Sequence, residues 1–320
     1  MRGSWLLVLI VLAAAGGGVW YYLSGEKTTH SGEQVVVALP PASGNPSLLL
    51  PAPDPGLVEN SPDGFLPIIG RDGRQPWQVY ARSFDRSDKR PRIALVIEGL
   101  GLDRTLSQSA MDRLAGGITL AFDPYTDGMK DWINQARSLG HETLMGLPME
   151  PLDYPRQDPG PLTLLISLGE SQNIARLKKL MAGGAGYVGF VALWGERFST
   201  EKSALLPALE TLKQRGLMFV DNKPPAGNAT VLLASQMKLP WAAADRFIDN
   251  EADPGAIDQA LADLETAAQH NGTALGIAAL SPAIVDHAAT WAATIESKGL
   301  VLAPVSAVAG RQVITTTETP

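Results

Sequence analysis

A recurring junction between helix-like and strand-like segments limits the folds that are open to this chain. Four segments with helical periodicity end at a glycine, and a short apolar segment follows each at once; the glycines are Gly140, Gly216, Gly272 and Gly299. Glycine readily adopts the left-handed conformation that closes a helix, so the chain can enter a sheet directly. Repeated alternation of this kind predicts a parallel sheet covered by helices.

The alternation continues from residue 91 to about residue 310 and favours a distorted or incomplete (β/α) barrel over a doubly wound sheet, because roughly seven such units are present. The predicted strands are 93–97, 118–122, 143–147, 187–191, 217–220, 246–248, 274–278 and 300–304. The predicted helices are 105–114, 129–139, 171–181, 203–215, 230–237, 254–270 and 283–297.

The ends of these strands carry the candidate functional residues, because parallel α/β folds place their sites at the carboxyl ends of strands. The candidate catalytic acids are Glu98, Asp221 and Asp249, and the candidate substrate-binding residues are Tyr125, Glu150, Tyr154, Trp194, Arg197, Asn222 and Asn250. A cleft lined by amides, carboxylates and aromatic rings suits a sugar. For each position the simpler interpretation is a turn or helix-cap residue, since Asp and Asn are common there.

Composition excludes several classes of function. A net charge of -7 without a basic stripe argues against a nucleic-acid partner. The chain has no cysteine, which excludes disulfides, thiolate catalysis and cysteine-bound zinc. Four histidines argue against a three-histidine metal site, and a cation held by carboxylates alone, from Glu98, Asp123, Asp221 and Asp249, has weak support. We therefore expect no cofactor.

The amino-terminal segment predicts export. Residues 5–23 carry no charge, follow Arg2 and end in aromatic residues, as in a membrane-spanning helix with its amino terminus inside. A cleaved signal peptide with a small-residue site at residues 13–15 is the alternative. The expected location is the inner membrane, single-pass, with a periplasmic domain. The expected segments are an anchor or signal (1–23), a disordered linker (24–63), a packed arm (64–90), the main domain (91–310) and a disordered tail (311–320).

Several motifs carry a resemblance to a known family. In chain order they are RIALVIEGLG, LAFDPY, ARSLGHETLMGLPMEPLDYP, DPGPLTLL, GYVGFVALWGERF, RGLMFVDN and RFIDNE. Over residues 91–308 the chain resembles the divergent polysaccharide deacetylases of bacterial envelopes, and GFLPIIGRDGRQPWQVYARSF resembles the arm of a membrane-anchored branch. The resemblance implies a distorted (β/α) barrel of the polysaccharide deacetylase type and an acetylated envelope glycan, such as peptidoglycan, as the partner.

The resemblance also implies a degenerate metal site. Metal-dependent relatives carry an Asp-Asp pair after the first strand and histidines at later strand ends; the corresponding positions here are Glu98-Gly99, Gly146, Ala192-Leu193 and Ala278-Ala279-Leu280. Glycine and leucine cannot bind zinc, so the metal-dependent mechanism is not expected. His141 follows a helix-ending glycine, and we predict a structural role for it, hydrogen-bonded with Glu142 at the opposite end of the barrel.

Two functions remain open at this point. The first is a carbohydrate hydrolase or deacetylase of altered mechanism, with Glu98 and either Asp221 or Asp249 as acid and base. The second is a catalytically inactive protein that binds an envelope glycan or serves as a scaffold for an envelope protein. Two working carboxylates must face one cleft, so the direction of these side chains distinguishes the two hypotheses.

Overall fold

A computed structural model of the protein describes residues 49–224, 228–248 and 254–312. The predicted anchor, most of the predicted linker, residues 313–320 of the tail, and the candidates Asp249 and Asn250 lie outside these residues. No helix in the described ranges is long and apolar enough to cross a bilayer.

The described residues form a curled parallel sheet surrounded by helices. A short antiparallel hairpin, β1 (Val58–Ser61) and β2 (Gly64–Pro67), precedes the sheet. The sheet strands are β3 (Arg92–Leu100), β4 (Thr119–Phe122), β5 (Thr143–Met149), β6 (Gly189–Trp194), β7 (Met218–Asp221), β8 (Trp241–Ala243), β9 (Arg246–Phe247), β10 (Thr273–Ala279) and β11 (Val301–Leu302). Their order is β8-β7-β6-β5-β4-β3-β10-β9, with β11 also paired to β3.

The helices follow the predicted alternation. They are α1 (Pro76–Val79), α2 (Arg104–Arg113), α3 (Met129–Ser138), α4 (Glu170–Met181), α5 (Lys202–Gln214), α6 (Ala229–Gln236), α7 (Pro254–Asn271), α8 (Pro282–Ala292) and α9 (Val305–Val308). The predicted helix 283–297 is shorter than expected, because α8 ends at Ala292 and a separate 3-10 turn, Glu296–Lys298, precedes the final strand. The helix-closing glycines Gly140, Gly216, Gly272 and Gly299 all have positive φ.

One extended segment joins the two ends of the sheet and makes it barrel-like. Strand β8 pairs with β7, whereas β9, only three residues further along the chain, pairs with β10. Between them, the Ala244 N–H donates to Asp221 O at 2.9 Å and the Asp245 N–H donates to Leu275 O at 2.8 Å. The same stretch of chain therefore completes the hydrogen bonding of both neighbours. The sequence predicted only its second half, 246–248, as a strand.

Side chains alternate between the inside of the curled sheet and the helical layer. On β3, Ala94 and Val96 belong to the inner cluster, whereas Ile93 and Leu95 pack outward against the helices. The inner cluster also contains residues from outside the sheet: Leu57, Tyr80, Val305, Ala307 and Val308. The amino-terminal arm and α9 therefore fill the interior from the amino-terminal end of the strands, which we call the base.

The arm begins earlier than predicted. The linker was expected to extend to residue 63, but a 3-10 turn at Pro55–Leu57 and the β1–β2 hairpin are already ordered, and Leu57 is fully buried. Arg137 on α3 holds this segment: Nη2 donates to Leu50 O at 2.6 Å, and Nη1 donates to Tyr80 O and Gly186 O. The sequence feature that could have indicated this earlier start is the apolar pair Leu57-Val58 within a Pro-rich stretch.

A buried carboxylate organises the base. Glu142 is completely buried and accepts hydrogen bonds from the Arg82 N–H, the Ser306 N–H and the Ser306 hydroxyl. Burial raises the pKa of Glu142, and these donors oppose the rise. His141 does lie at this end, but its predicted hydrogen bond with Glu142 is wrong: its ring nitrogens are 2.9 Å from Ile118 O and 3.1 Å from Met111 O. Its role is to join α2 to the start of β4.

The carboxyl-terminal segment also departs from the prediction of a disordered tail from residue 311. Gln312 is buried, and its side-chain amide accepts from the Ala243 N–H at 2.7 Å and donates to Ala243 O at 2.6 Å. The amide also donates to the Asp245 carboxylate at 2.8 Å. Gln312 thus adds a strand-like pair of hydrogen bonds to β8, at the point where the sheet closes.

Candidate functional site

Six positions line the inner face of the sheet at the carboxyl ends of the strands, which we call the mouth. They are Glu98 on β3, Asp123 after β4, Gly146 on β5, Leu193 on β6, Asn222 after β7 and Ala279 on β10. Strand alternation assigns them to this face, because Val96, Ala121, Leu144, Val191, Val220 and Ile277, two residues earlier in each case, belong to the inner cluster. The mouth therefore contains two carboxylates on adjacent strands, with Gly146, Leu193 and the amide of Asn222 further around the sheet.

Glu98 lies at the mouth because β3 continues to Leu100, three residues beyond the apolar run that ends at Ile97. Its backbone oxygen accepts from the Leu280 N–H at 2.9 Å, which ties it to the loop after β10. The chain then turns sharply through Gly99 and Gly101, with φ of 84° and 95°. A Cβ at Gly101 would lie 2.2 Å from the Thr126 side chain, so this turn packs directly on the loop after β4.

Asp123, which the sequence offered as part of a weakly supported cation site, lies at the mouth directly after β4. Its Oδ1 accepts from the Tyr125 N–H at 2.9 Å, and burial raises the pKa of its carboxyl against that hydrogen bond. The available signal was its place directly after a strand that neighbours β3. A second acid next to Glu98 is thus supplied by β4 and not by Asp221.

Asp221 faces the other side of the sheet. Met218 and Val220 belong to the inner cluster and Phe219 to the outer one, so alternation turns Asp221 outward. It is 2 % exposed, accepts from Asn228 Nδ2 at 3.1 Å and from the Lys223 N–H at 3.1 Å, and burial raises its pKa. Asn228 caps α6, so Asp221 supports the start of that helix. Glu98 and Asp221 do not face one cleft as an acid and base pair would.

Glu150 is buried and acts as a junction between two loops at the rim of the mouth. Its Oε2 accepts from the Ile166 N–H at 2.6 Å, and its backbone oxygen accepts from the N–H groups of Arg197 and Phe198. Its Oε1 lies 3.2 Å from Nη1 of Arg197, whose side chain is 46 % exposed. Glu150 therefore positions the loop 151–166 and Arg197, and only Arg197 is accessible to a ligand.

The aromatic candidates differ in what they offer. Tyr125 is half-buried; its hydroxyl accepts from the Leu162 N–H at 3.1 Å, and a Cβ at Gly160 would lie 2.5 Å from its ring. Tyr125 therefore supports the loop 151–166 from below. Tyr154 is half-buried within that loop. Trp194, in contrast, is 44 % exposed at the end of β6.

Trp194 is held in a conformation that is rare for its residue type. Its φ is 62°, and Gly195 follows with φ of 94°. A non-glycine residue in the left-handed region costs about 1 kcal/mol or more and persists only where neighbours enforce it. Asn222 Nδ2 donates to Trp194 O at 3.0 Å, and Lys223 Nζ lies 3.4 Å from Gly195 O and 2.5 Å from Ser199 Oγ. Residues that follow β7 thus hold the turn 194–199, which we call the β6 turn.

The residues present do not fit the metal ion that the resemblance implies. A Cβ at Gly146 would lie 2.5 Å from Leu193 Cδ1 and 3.0 Å from Pro124 Cδ, so leucine and proline fill the space of a side chain at 146. Glu98 and Asp123 are the acids on this face among the described residues, and Gly146 and Leu193 offer no atom that can bind a metal. No three His, Asp or Glu side chains are grouped to hold a metal within residues 49–224, 228–248 and 254–312.

Comparison with known proteins agrees with this architecture. A family model described as divergent polysaccharide deacetylase matches residues 95–309. A crystal structure of an uncharacterized protein from Agrobacterium tumefaciens C58 is 35% identical, with a TM-score of 0.72, over 77% of this chain and 99% of that one. The catalytic domain of a peptidoglycan N-acetylglucosamine deacetylase from Eubacterium rectale ATCC 33656 is 10% identical, with a TM-score of 0.45, over 72% of this chain and 94% of that domain. No curated protein matches the chain.

Proposed function

The chain belongs to the divergent polysaccharide deacetylase family, and on that premise we propose that it binds an acetylated glycan at the mouth without metal-dependent hydrolysis. The observation that carries this proposal is Trp194, an exposed indole on a left-handed turn held by the residues after β7. An exposed, strained aromatic residue at the carboxyl end of β6, next in the chain to Leu193 of the mouth, is suited to stack on the apolar face of a sugar ring.

Binding is favoured over hydrolysis for two reasons. The wall where relatives place histidines is closed by Leu193 over Gly146, which leaves no ligand for a catalytic metal there. The pair of Glu98 with Asp221 is also not supported, because Asp221 faces outward and its oxygens accept hydrogen bonds from the loop before α6; the other candidate partner, Asp249, lies outside the described residues. Glu98 and Asp123 remain at the mouth, where carboxylates can accept hydrogen bonds from sugar hydroxyls or an acetamide N–H.

The cellular setting completes the proposal. The uncharged segment at residues 5–23, preceded by Arg2, supports anchoring in the inner membrane with the domain in the periplasm. Peptidoglycan is the acetylated glycan of that compartment and is the proposed partner. The protein would then act as an envelope glycan-binding or scaffolding protein.

The test is calorimetry of the full-length chain with a tetramer of N-acetylglucosamine, together with an assay for released acetate in the presence and absence of Zn²⁺. We expect binding without acetate release. Trp194→Ala should weaken binding at least about tenfold, because a central aromatic contact is lost. Phe65→Ala is the matched control, since Phe65 is 41 % exposed on the β1–β2 hairpin at the base.

Two results would count against the proposal. Zn²⁺-dependent acetate release that disappears in Glu98→Gln would show a working deacetylase. Unchanged affinity in Trp194→Ala would show that the glycan does not bind at the β6 turn.

A further inference from the structure

The β6 turn presents a cation beside the exposed indole. Arg197 lies three residues after Trp194, and 46 % of its side chain is exposed. Its backbone N–H donates to Glu150 O at 3.1 Å, so the position of the residue is fixed from both the main chain and the side chain. An anchored, half-exposed arginine next to a stacking surface is a typical arrangement for recognition of a planar anion.

The contact with Glu150 uses only part of the guanidinium. Nη1 lies 3.2 Å from Glu150 Oε1, and Glu150 is the one acidic partner within 4.0 Å of this guanidinium among the described residues. Because a guanidinium carries five N–H donors in a planar fork, the edge formed by Nε and Nη2 can still donate two parallel hydrogen bonds. The other carboxylate oxygen of Glu150, Oε2, accepts a hydrogen bond from the Ile166 N–H at 2.6 Å, so Arg197 is not the sole group that stabilises this carboxylate.

A second cation reinforces the turn. Lys223 Nζ lies 2.5 Å from Ser199 Oγ and 3.4 Å from Gly195 O, which brings its charge to the turn that carries Trp194 and Arg197. Glu196, which is half-buried, is the acid within the turn itself. The acids of the mouth, Glu98 and Asp123, belong instead to β3 and β4. The turn therefore carries two cations, Arg197 and Lys223, and the acids next to them are Glu150 and Glu196, whereas the acids of β3 and β4 lie beyond β5 in the sheet.

We infer that the glycan bound at the mouth carries a carboxylate, which Arg197 binds while Trp194 stacks on the adjoining sugar. This inference rests on the proposed function and narrows its ligand to an acidic, acetylated glycan. A sugar carboxylate can come from a uronic acid or from the lactyl ether of an N-acetylmuramic acid that carries no peptide stem, and both offer the same planar anion to the guanidinium.

The experiment compares three tetrasaccharides in calorimetry with the full-length chain. The first contains only N-acetylglucosamine and is neutral, the second alternates N-acetylglucosamine with glucuronic acid, and the third alternates it with N-acetylmuramic acid. We expect at least one acidic tetrasaccharide to bind about tenfold tighter than the neutral one, and the ratio to fall between 50 and 500 mM NaCl as the charges are screened. The preferred acid identifies the source of the carboxylate.

The variants isolate the guanidinium. Arg197→Gln should bring the ratio of acidic to neutral affinity close to one, and Arg197→Lys should restore part of that ratio. Arg113→Gln is the matched control, because Arg113 is equally exposed, at 46 %, and pairs with Asp286 between α2 and α8. A thermal unfolding curve of each variant checks that Glu150 tolerates the loss of its partner.

The outcomes separate this inference from the proposed function. Equal affinity for all three tetrasaccharides, or an acidic preference that persists in Arg197→Gln, overturns the inference and leaves glycan binding in place. Failure of all three to bind overturns the proposed function, and the inference with it.

Discussion

At the scale of single residues, Gly146 and Leu193 share one space on the inner face of the sheet. The leucine methyl group lies where the first atom of a side chain at 146 would be placed, and Pro124 closes the other side. The small residue at 146 therefore makes room for the larger one at 193.

We predict that Gly146→His destabilises the protein by about 1–3 kcal/mol, because a Cβ 2.5 Å from Leu193 Cδ1 forces side chains to shift. Leu193→Ala should also destabilise the protein, by leaving a cavity. The double variant should be more stable than the sum of the two changes predicts, by at least about 0.5 kcal/mol. Urea unfolding of all four proteins measures this coupling; simple additivity would show that the two positions do not share space.

At the scale of elements, the arm that precedes the sheet is part of the core. Leu57 and Tyr80 are buried in the inner cluster together with α9. Arg137 reaches three backbone carbonyls, two of them in the arm, and its guanidinium lies 5.1 Å from the centre of the Tyr80 ring. Burial lowers the pKa of Arg137 to about 10, so the group stays charged at neutral pH. Carbonyl oxygens and an aromatic face thus surround this buried cation.

We predict that Arg137→Met lowers the free energy of unfolding by about 2–4 kcal/mol, because buried carbonyls lose charged donors. The change should also make the arm sensitive to protease near Leu50, well before the sheet unfolds. Urea unfolding and limited proteolysis followed by mass spectrometry measure the two effects. Arg113→Gln is again the control and should cost less than about 1 kcal/mol, as expected for an exposed pair. Equal effects of the two variants would contradict the role of Arg137 in holding the arm.

At the scale of the whole molecule, closure of the sheet depends on a short, irregular stretch of chain. Residues 241–248 serve both β7 and β10, and the side chains of Gln312 and Asp245 supply hydrogen bonds where the backbone changes neighbours. Asp245 Oδ2 also accepts from the Leu275 N–H at 2.8 Å. Burial raises the pKa of Asp245, while the Leu275 and Gln312 donors lower it.

We predict that Gln312→Ala speeds hydrogen exchange at the Ala243 and Leu275 amides, because closure is loosened, while amides of β5 stay protected. The free energy of unfolding should fall by about 1–3 kcal/mol, the cost of leaving buried backbone groups without partners. Arg311→Ala is the control, because Arg311 is the exposed residue next to Gln312; it should change neither the exchange rates nor the free energy of unfolding. Uniformly faster exchange throughout the sheet would instead indicate a general loss of stability.

Much of the fold could be predicted from local sequence signals, and the exceptions have physical causes. Strands such as β3 and β5 carry long apolar stretches, and glycines close the preceding helices, so their order and type follow from the pattern. Strand β8 spans only Trp241–Ala243, too short for any periodicity to show. The start of the arm near Leu50 and the buried Gln312 were missed because their partners, Arg137 and Ala243, lie far away in the sequence.

The candidate site was harder to predict because strand ends do not reveal side-chain direction. Glu98 and Asp221 both follow apolar strands, yet one faces the mouth and the other the helical layer. Glu150 was expected to contact a ligand, and the structure buries it beneath Arg197. Leu193 fills the space beside Gly146 because β5 and β6 are neighbours in the sheet, and the sequence alone does not show that pairing. Asp249 and Asn250 lie outside the described residues and remain predictions.

The filled base has a consequence for how a polymer can be engaged. Because Leu57, Tyr80 and Val305 occupy the interior below the mouth, the described part of the barrel is a closed cup without a passage along its axis. A glycan bound as proposed would therefore lie across the open face of the cup. Binding from the side needs no free chain end, so sugars in the middle of a long strand would be as accessible as terminal ones, and no strand of a continuous mesh would have to be cut for the protein to bind or leave.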